Sequence, residues 1–224
     1  MFTLERWPGI TDSEWDTYHS QNDQKRLEFL MRYILPKSRI FEIGCGCGFQ
    51  AGVIAKNIQS EPSSKNSRQE VAYSGFDDDP MKVLSCRNMA VKNKINAEFF
   101  KYNIMDLDED YLDGFDPDVI LFTEVLEHIE KYEEAFAKIS KIVKNKRTML
   151  MTIPLKDRLT HVPGHINNFS DEDIKNLCRK NKLNFNESAT IADTFSFFLI
   201  RRIEQFYTIG GCSGGCMIPG GCTQ

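Results

Sequence analysis

Residues 40–49 read Ile-Phe-Glu-Ile-Gly-Cys-Gly-Cys-Gly-Phe. Strand-forming residues run into Glu42, glycines follow at Gly44, Gly46 and Gly48, and a helical pattern begins near Gln50. A strand that passes through alternating glycines into a helix leaves backbone N–H groups free at the helix start. Glycine there tolerates positive φ and lets a ligand approach the main chain. The stretch predicts a cofactor loop, and the fold is read outward from it.

A dinucleotide loop needs the spacing G-x-G-x-x-G, whose last glycine permits close helix–strand packing. Counted from Gly44, that position is Phe49, and the spacing present is instead E-x-G-x-G-x-G. The carboxylate of Glu42, two residues before the first glycine, suits a cationic amine and would repel a pyrophosphate. A ligand with an amino-acid moiety fits both features.

Around the loop, strand and helix patterns alternate. A helical pattern over Asp23–Leu35 carries Leu27, Leu30, Met31 and Ile34 on one face, and Pro36 ends it. Strands are predicted at Arg39–Ile43, Val71–Asp77, Ala97–Tyr102, Asp118–Phe122 and Thr148–Ile153, with a helix over Gln50–Ile58. Asp79-Pro80 reads as an N-cap followed by proline at the first helical position. Val125, Ile129, Tyr132, Phe136, Ile139 and Val143 repeat at four-then-three spacing and predict one amphipathic helix over Glu124–Lys144. Ser170-x-x-Asp173 opens a further helix to about Asn181. Two last strand patterns, Asn184–Ile191 and Phe195–Arg202, lack a long helix between them and should pair antiparallel at one edge. The polar stretch Gln59–Glu70 reads as a surface loop. The expected architecture is a doubly wound α/β fold, a mainly parallel seven-stranded sheet with helices on both faces and an antiparallel edge strand.

Composition narrows the function. The 224 residues are 41% hydrophobic and 27% charged, with a formal net charge of −4. Such a chain suits one α/β domain, and its acidity disfavours a nucleic-acid partner. No apolar run has the ~20 residues of a membrane helix, and Met1–Gly9 lacks a signal-peptide layout, so a cytoplasmic location is expected. The seven cysteines are then expected to stay reduced. Three organisational units follow: an N-terminal segment over 1–22, a domain over 23–205 and a Gly/Cys-rich tail over 206–224. The first, with Trp7, Trp15 and a capping box at Thr11-x-x-Glu14, is either a lid over the cofactor or a cover for the sheet. The tail, with Cys212, Cys216 and Cys222 among six glycines, is a soft-metal site, a presented peptide or a plain flexible end.

Three motifs in order, E-I-G-C-G-C-G, the acid closing the second strand, and F-D-P-D-V-I-L-F-T-E-V-L-E-H-I, resemble class I S-adenosylmethionine-dependent methyltransferases over about Leu27–Arg201. The resemblance implies the fold just described and S-adenosyl-L-methionine as cofactor. It places Glu42, Gly44, Cys45 and Gly46 at the methionine end, with Gly48 supporting the turn. Asp77, or Asp78 beside it, would take the ribose hydroxyls. Asn103 and Ile104, with Asp106 in reserve, would meet the adenine, and Thr123 and Glu124 would lie beside the transferred methyl. The acceptor is expected to be a small molecule methylated at a hydroxyl oxygen. The competing readings are a non-catalytic binding module that keeps the fold and cofactor site, and a methyltransferase acting on RNA or peptide.

Glu124, Glu127 and His128 open the predicted long helix, and His161 and His165 follow the fifth strand, at the same end of the sheet. Two carboxylates and two imidazoles converging there suit a divalent cation such as Mg2+. The stretch is similar to ubiquinone-pathway O-methyltransferases and to small-RNA 3′-end 2′-O-methyltransferases. That resemblance implies Glu124, Glu127, His128 and His165 as metal ligands. Without metal, His128 or His165 is the candidate general base, with Glu124 as a further catalytic candidate.

Overall fold

The strand that feeds the glycine loop, β1 (Ile40–Ile43), is buried along its whole length and lies inside a seven-stranded sheet, between β2 and β4. The other strands are β2 (Tyr73–Asp77), β3 (Ala97–Lys101), β4 (Val119–Thr123), β5 (Thr148–Pro154), β6 (Leu183–Ile191) and β7 (Phe195–Arg202). Their order is β3-β2-β1-β4-β5-β7-β6. The first five strands are mutually parallel. β7 inserts between β5 and β6, antiparallel to both. The order reverses between β1 and β4, and the carboxyl ends beside such a reversal are where ligands bind in open α/β sheets.

The computed structural model describes residues 21–58, 72–107, 112, 115–143, 147–155 and 164–202. The N-terminal segment up to residue 20, His161 and the Gly/Cys-rich tail over 206–224 lie outside the described residues.

Among the described residues, five α-helices flank the sheet: α1 (Gln21–Leu30), α2 (Phe49–Ile58), α3 (Pro80–Asn93), α4 (Tyr132–Ile142) and α5 (Asp171–Lys180). Alternation along β1 sends Ile40 into the core shared with Leu27, Leu30, Ile54 and Met89, and Phe41 and Ile43 into the opposite core with Phe136, Ile139 and Phe198. Both faces are therefore covered, as a parallel sheet requires. The expected helix starts are present. Asp79 accepts from the Met81 N–H at 2.8 Å with Pro80 at the first position, and Ser170 and Asp173 close a reciprocal capping box.

The long helix predicted over Glu124–Lys144 is not continuous. Glu124 takes a left-handed φ of 53°, Leu126–His128 form a single 3-10 turn, and α4 begins only at Tyr132. The periodic apolar residues concealed this break. In a regular helix the Glu127 carbonyl would accept from the N–H four residues on. Here it accepts instead from the N–H groups of Ile166 and Asn167, both at 3.0 Å. The turn thus holds the segment after β5 against the end of β4. Similarly, the helical pattern over Asp23–Leu35 closes as α1 followed by a 3-10 turn at Met31–Tyr33.

Candidate active site

The glycine loop is stitched to the end of β2. The N–H groups of Gly44 and Cys45 both reach the Phe76 carbonyl at 2.9 Å, and the Gly46 N–H donates to Asp77 Oδ2 at 2.9 Å. Asp77 Oδ1 accepts from the Asp79 N–H at 3.1 Å. One buried carboxylate therefore holds the loop while still facing the cavity. Gly44 has φ +72°, and a Cβ there would come within 2.5 Å of Val125 Cγ2. At Gly48 (φ +85°) a Cβ would meet Cys86 Sγ at 3.0 Å, so this glycine serves the packing of the loop on α3. Both positions are closed to side chains for steric and conformational reasons together.

Above the loop lies a cavity of about 810 Å³, inside the roughly 300–1,000 Å³ range of small-molecule sites. Of the residues expected at the cofactor, Glu42, Gly44, Cys45, Gly46, Asp77, Asp78, Ile104, Thr123 and Glu124 line it. Gly48 and Asn103 are not among its lining residues. Asn103 instead caps the short turn Ile104–Asp106, its Oδ1 accepting from the Met105 N–H at 2.8 Å. Tyr102, beside it, does face the cavity.

The floor is a buried polar network. Glu42 accepts from Gln50 Nε2 at 2.9 Å and from the Tyr73 hydroxyl at 2.7 Å, and Gln50 Nε2 also donates to Thr123 Oγ1 at 3.1 Å. Burial pushes the Glu42 carboxyl up to about 7 and the Tyr73 hydroxyl upward as well, while their shared hydrogen bond pulls the acid back down.

Arg26 was not singled out from sequence. It is buried, with its guanidinium over the Phe195 ring at 4.9 Å, Asp23 at 3.0 Å and Glu124 Oε1 at 3.6 Å. Its Nε and Nη1 make no hydrogen bond within the described residues. A signal was available: Arg26 stands four residues before Leu30, which puts it on the apolar side of α1. Burial raises Glu124 to about 7, against the downward pull of the Arg26 charge.

Across the cavity, ligand atoms of Glu127, His128 and His165 lie within 4.8 Å of one another. Glu124 is not in this group, because its left-handed backbone turns it toward Arg26; the structure brings together three of the four expected metal ligands. His128 Nδ1 lies 2.8 Å from the Gly164 carbonyl, so Nδ1 carries the hydrogen and Nε2 keeps its lone pair. Nε2 stands 4.0 Å from Glu127 Oε1, and the two imidazoles meet edge to face at 4.7 Å. Glu127 is 1% exposed, and neither carboxylate oxygen has a hydrogen-bond partner within the described residues. Burial, then the Glu124 charge, drive its pKa well upward. A buried carboxylate left this way is costly unless a proton or cation offsets it. The donor set, one carboxylate and two imidazoles, suits a divalent metal.

Residues 34–206 match the model of a methyltransferase domain family. No curated protein matches the sequence. Among solved structures, an S-adenosylmethionine-dependent methyltransferase from Aquifex aeolicus superposes with TM-score 0.65 at 10% identity, covering 85% of this chain and 98% of its own. Magnesium protoporphyrin IX methyltransferase from Synechocystis PCC 6803, solved with S-adenosylmethionine bound, gives TM-score 0.59 at 14% identity over 87% of this chain and 85% of its own. The cyclase SpnF gives TM-score 0.65 at 11% identity over 81% of each chain. At these identities the likeness is one of fold, and a fold hosts more than one chemistry.

Proposed function

Since the chain belongs to the methyltransferase domain family and is an S-adenosylmethionine-dependent methyltransferase, we propose that it methylates a hydroxyl oxygen of a small molecule with the help of a divalent cation. The observation that carries this reading is the Glu127 carboxylate, buried without a hydrogen-bond partner among the described residues and close to His128 and His165, two imidazoles that line the cavity.

The Gly44–Gly46 backbone would hold the amino-acid end of the cofactor. Glu42 would supply negative charge toward its ammonium, and the Arg26 nitrogens that make no hydrogen bond among the described residues would receive its carboxylate. Asp77, with Asp78 beside it, would receive the ribose hydroxyls, and Tyr102 and Ile104, which also line the cavity, would flank the base. Bound, the cofactor supplies a methyl group on sulfonium, already activated for transfer. The chain's part is therefore to align the acceptor oxygen and to move one proton.

Glu127, His128 and His165 would hold the cation, whose chemistry there would be to lower the pKa of a bound hydroxyl. Gly164 fixes the ring of His128 so that Nε2 presents its lone pair. Glu124, with a carboxyl near 7, takes the proton released by the acceptor. A protein that only binds the cofactor has no use for a buried carboxylate left without a hydrogen bond among the described residues behind these imidazoles.

Two measurements test the reading. Calorimetry should show S-adenosylmethionine binding to the wild type and severe weakening in Asp77→Ala. Incubation of a cell extract with the enzyme and methyl-labelled cofactor should place the label on small hydroxylated molecules. Label found only in protein or RNA would refute the acceptor class.

A further inference from the structure

Beneath the glycine loop the sulfurs of Cys45 and Cys86 stand 3.6 Å apart. Cys45 belongs to the loop and lines the cavity. Cys86 is fully buried in α3, with its sulfur also 3.1 Å from the Gly46 carbonyl. The methyl transfer uses neither thiol. A disulfide needs about 2.05 Å between sulfurs, so the pair must close by roughly 1.5 Å. That displacement falls on a short run of backbone with little slack. The Cys45 N–H is bound to Phe76, its carbonyl to the Gly48 N–H at 3.0 Å, and the Gly46 N–H to Asp77.

We propose that Cys45 and Cys86 form an oxidative modification site, in which a hydroperoxide entering through the cofactor cavity converts the two thiols to a disulfide that deforms the cofactor loop. The sulfur of Cys45, the one residue of the pair that lines the cavity, attacks the peroxide; the O–O bond breaks, the thiol proton leaves with the departing oxygen as water or alcohol, and Cys45 carries S–OH. The sulfur of Cys86 then attacks the Cys45 sulfur, the S–O bond breaks, and hydroxide leaves with the Cys86 proton as water. The two thiols give up two electrons and the peroxide receives them. The hydrogen bond with Cys86, burial, and the nearby carboxylates hold the Cys45 thiol protonated. The first step is therefore slow at neutral pH and quickens in alkali. A bound cofactor covers Cys45 and protects the pair.

The consequence for the cofactor rests on the proposed function, whereas the bond itself does not. The full chain, reduced and freed of reductant, is treated with hydrogen peroxide with and without S-adenosylhomocysteine, alkylated, and mapped by peptide mass spectrometry. A Cys45–Cys86 linked peptide is expected, forming more slowly with the ligand present. Calorimetry should show the oxidised chain binding S-adenosylhomocysteine about tenfold or more weakly, with recovery on reduction. Cys86→Ser should bind normally before treatment and give no linked peptide after peroxide. Pairing of Cys45 with any other cysteine, absence of a linked peptide, or unchanged affinity in the linked form overturns the proposal. A reduced wild type that binds no S-adenosylhomocysteine refutes the cofactor reading alone, and the peptide map still decides the bond.

Discussion

Nδ1 of His128 lies 2.8 Å from the carbonyl oxygen of Gly164, a contact across 36 residues that determines which ring nitrogen faces Glu127. The backbone at Gly164 has φ +89°, and a Cβ there would come within 3.3 Å of that same Nδ1. Ring and loop are thus fitted to each other, and removing either partner should leave the cofactor cavity intact while spoiling the wall opposite it.

Glu127→Gln or His128→Ala should lower kcat by about 10²-fold or more, with the affinity for S-adenosylhomocysteine unchanged. EDTA should abolish turnover of the wild type, and Mg2+ should restore it. Full activity in EDTA would remove the cation and leave His128 Nε2 as the proton acceptor.

Arg26→Met should weaken S-adenosylhomocysteine roughly 30-fold or more, the scale for losing one partner of a desolvated charge pair. Binding of 5′-methylthioadenosine, which has no amino-acid carboxylate, should hardly change. Equal losses for both ligands would mean that Arg26 only holds α1 in place.

Gly44→Ala should destabilise the fold by about 1–3 kcal/mol, since it adds a methyl group against Val125 at a positive-φ position. Denaturant unfolding measures this. Cofactor binding should fail in the variant even where it remains folded.

Glu42 gives a pH dependence of unusual sign. Its folded pKa of about 7 lies above the ordinary carboxyl value, so between about pH 4.5 and 7 the native state binds more protons than the unfolded chain. Its contribution to stability is therefore fully present at the acid end of that window and is lost as pH rises through 7, on the order of 3 kcal/mol in all. Cofactor affinity should run the other way, falling as pH drops below 7 and the charge facing the ammonium disappears. Thermal melts and calorimetry on wild type and Glu42→Gln separate the two trends. A wild type whose melting temperature follows the variant's at every pH would contradict this account.

Much of the molecule was legible along the chain because its signals are local. The spacing of Gly44, Gly46 and Gly48, the acid at Asp77 and the alternation of strand and helix patterns depend on backbone conformation and side-chain period alone. They sufficed for the sheet, the loop and the cofactor class. Other features depend on which groups meet across the fold. Periodicity carried Glu124 into a helix with Glu127 and His128. The segment after β5 claims the Glu127 carbonyl, breaks that helix and sends Glu124 to Arg26 instead. Arg26 itself, the seating of His128 on Gly164 and the contact of Cys45 with Cys86 join residues dozens of positions apart. Burial, pairing and distance between such groups are properties of packing, so only the tertiary structure decided them.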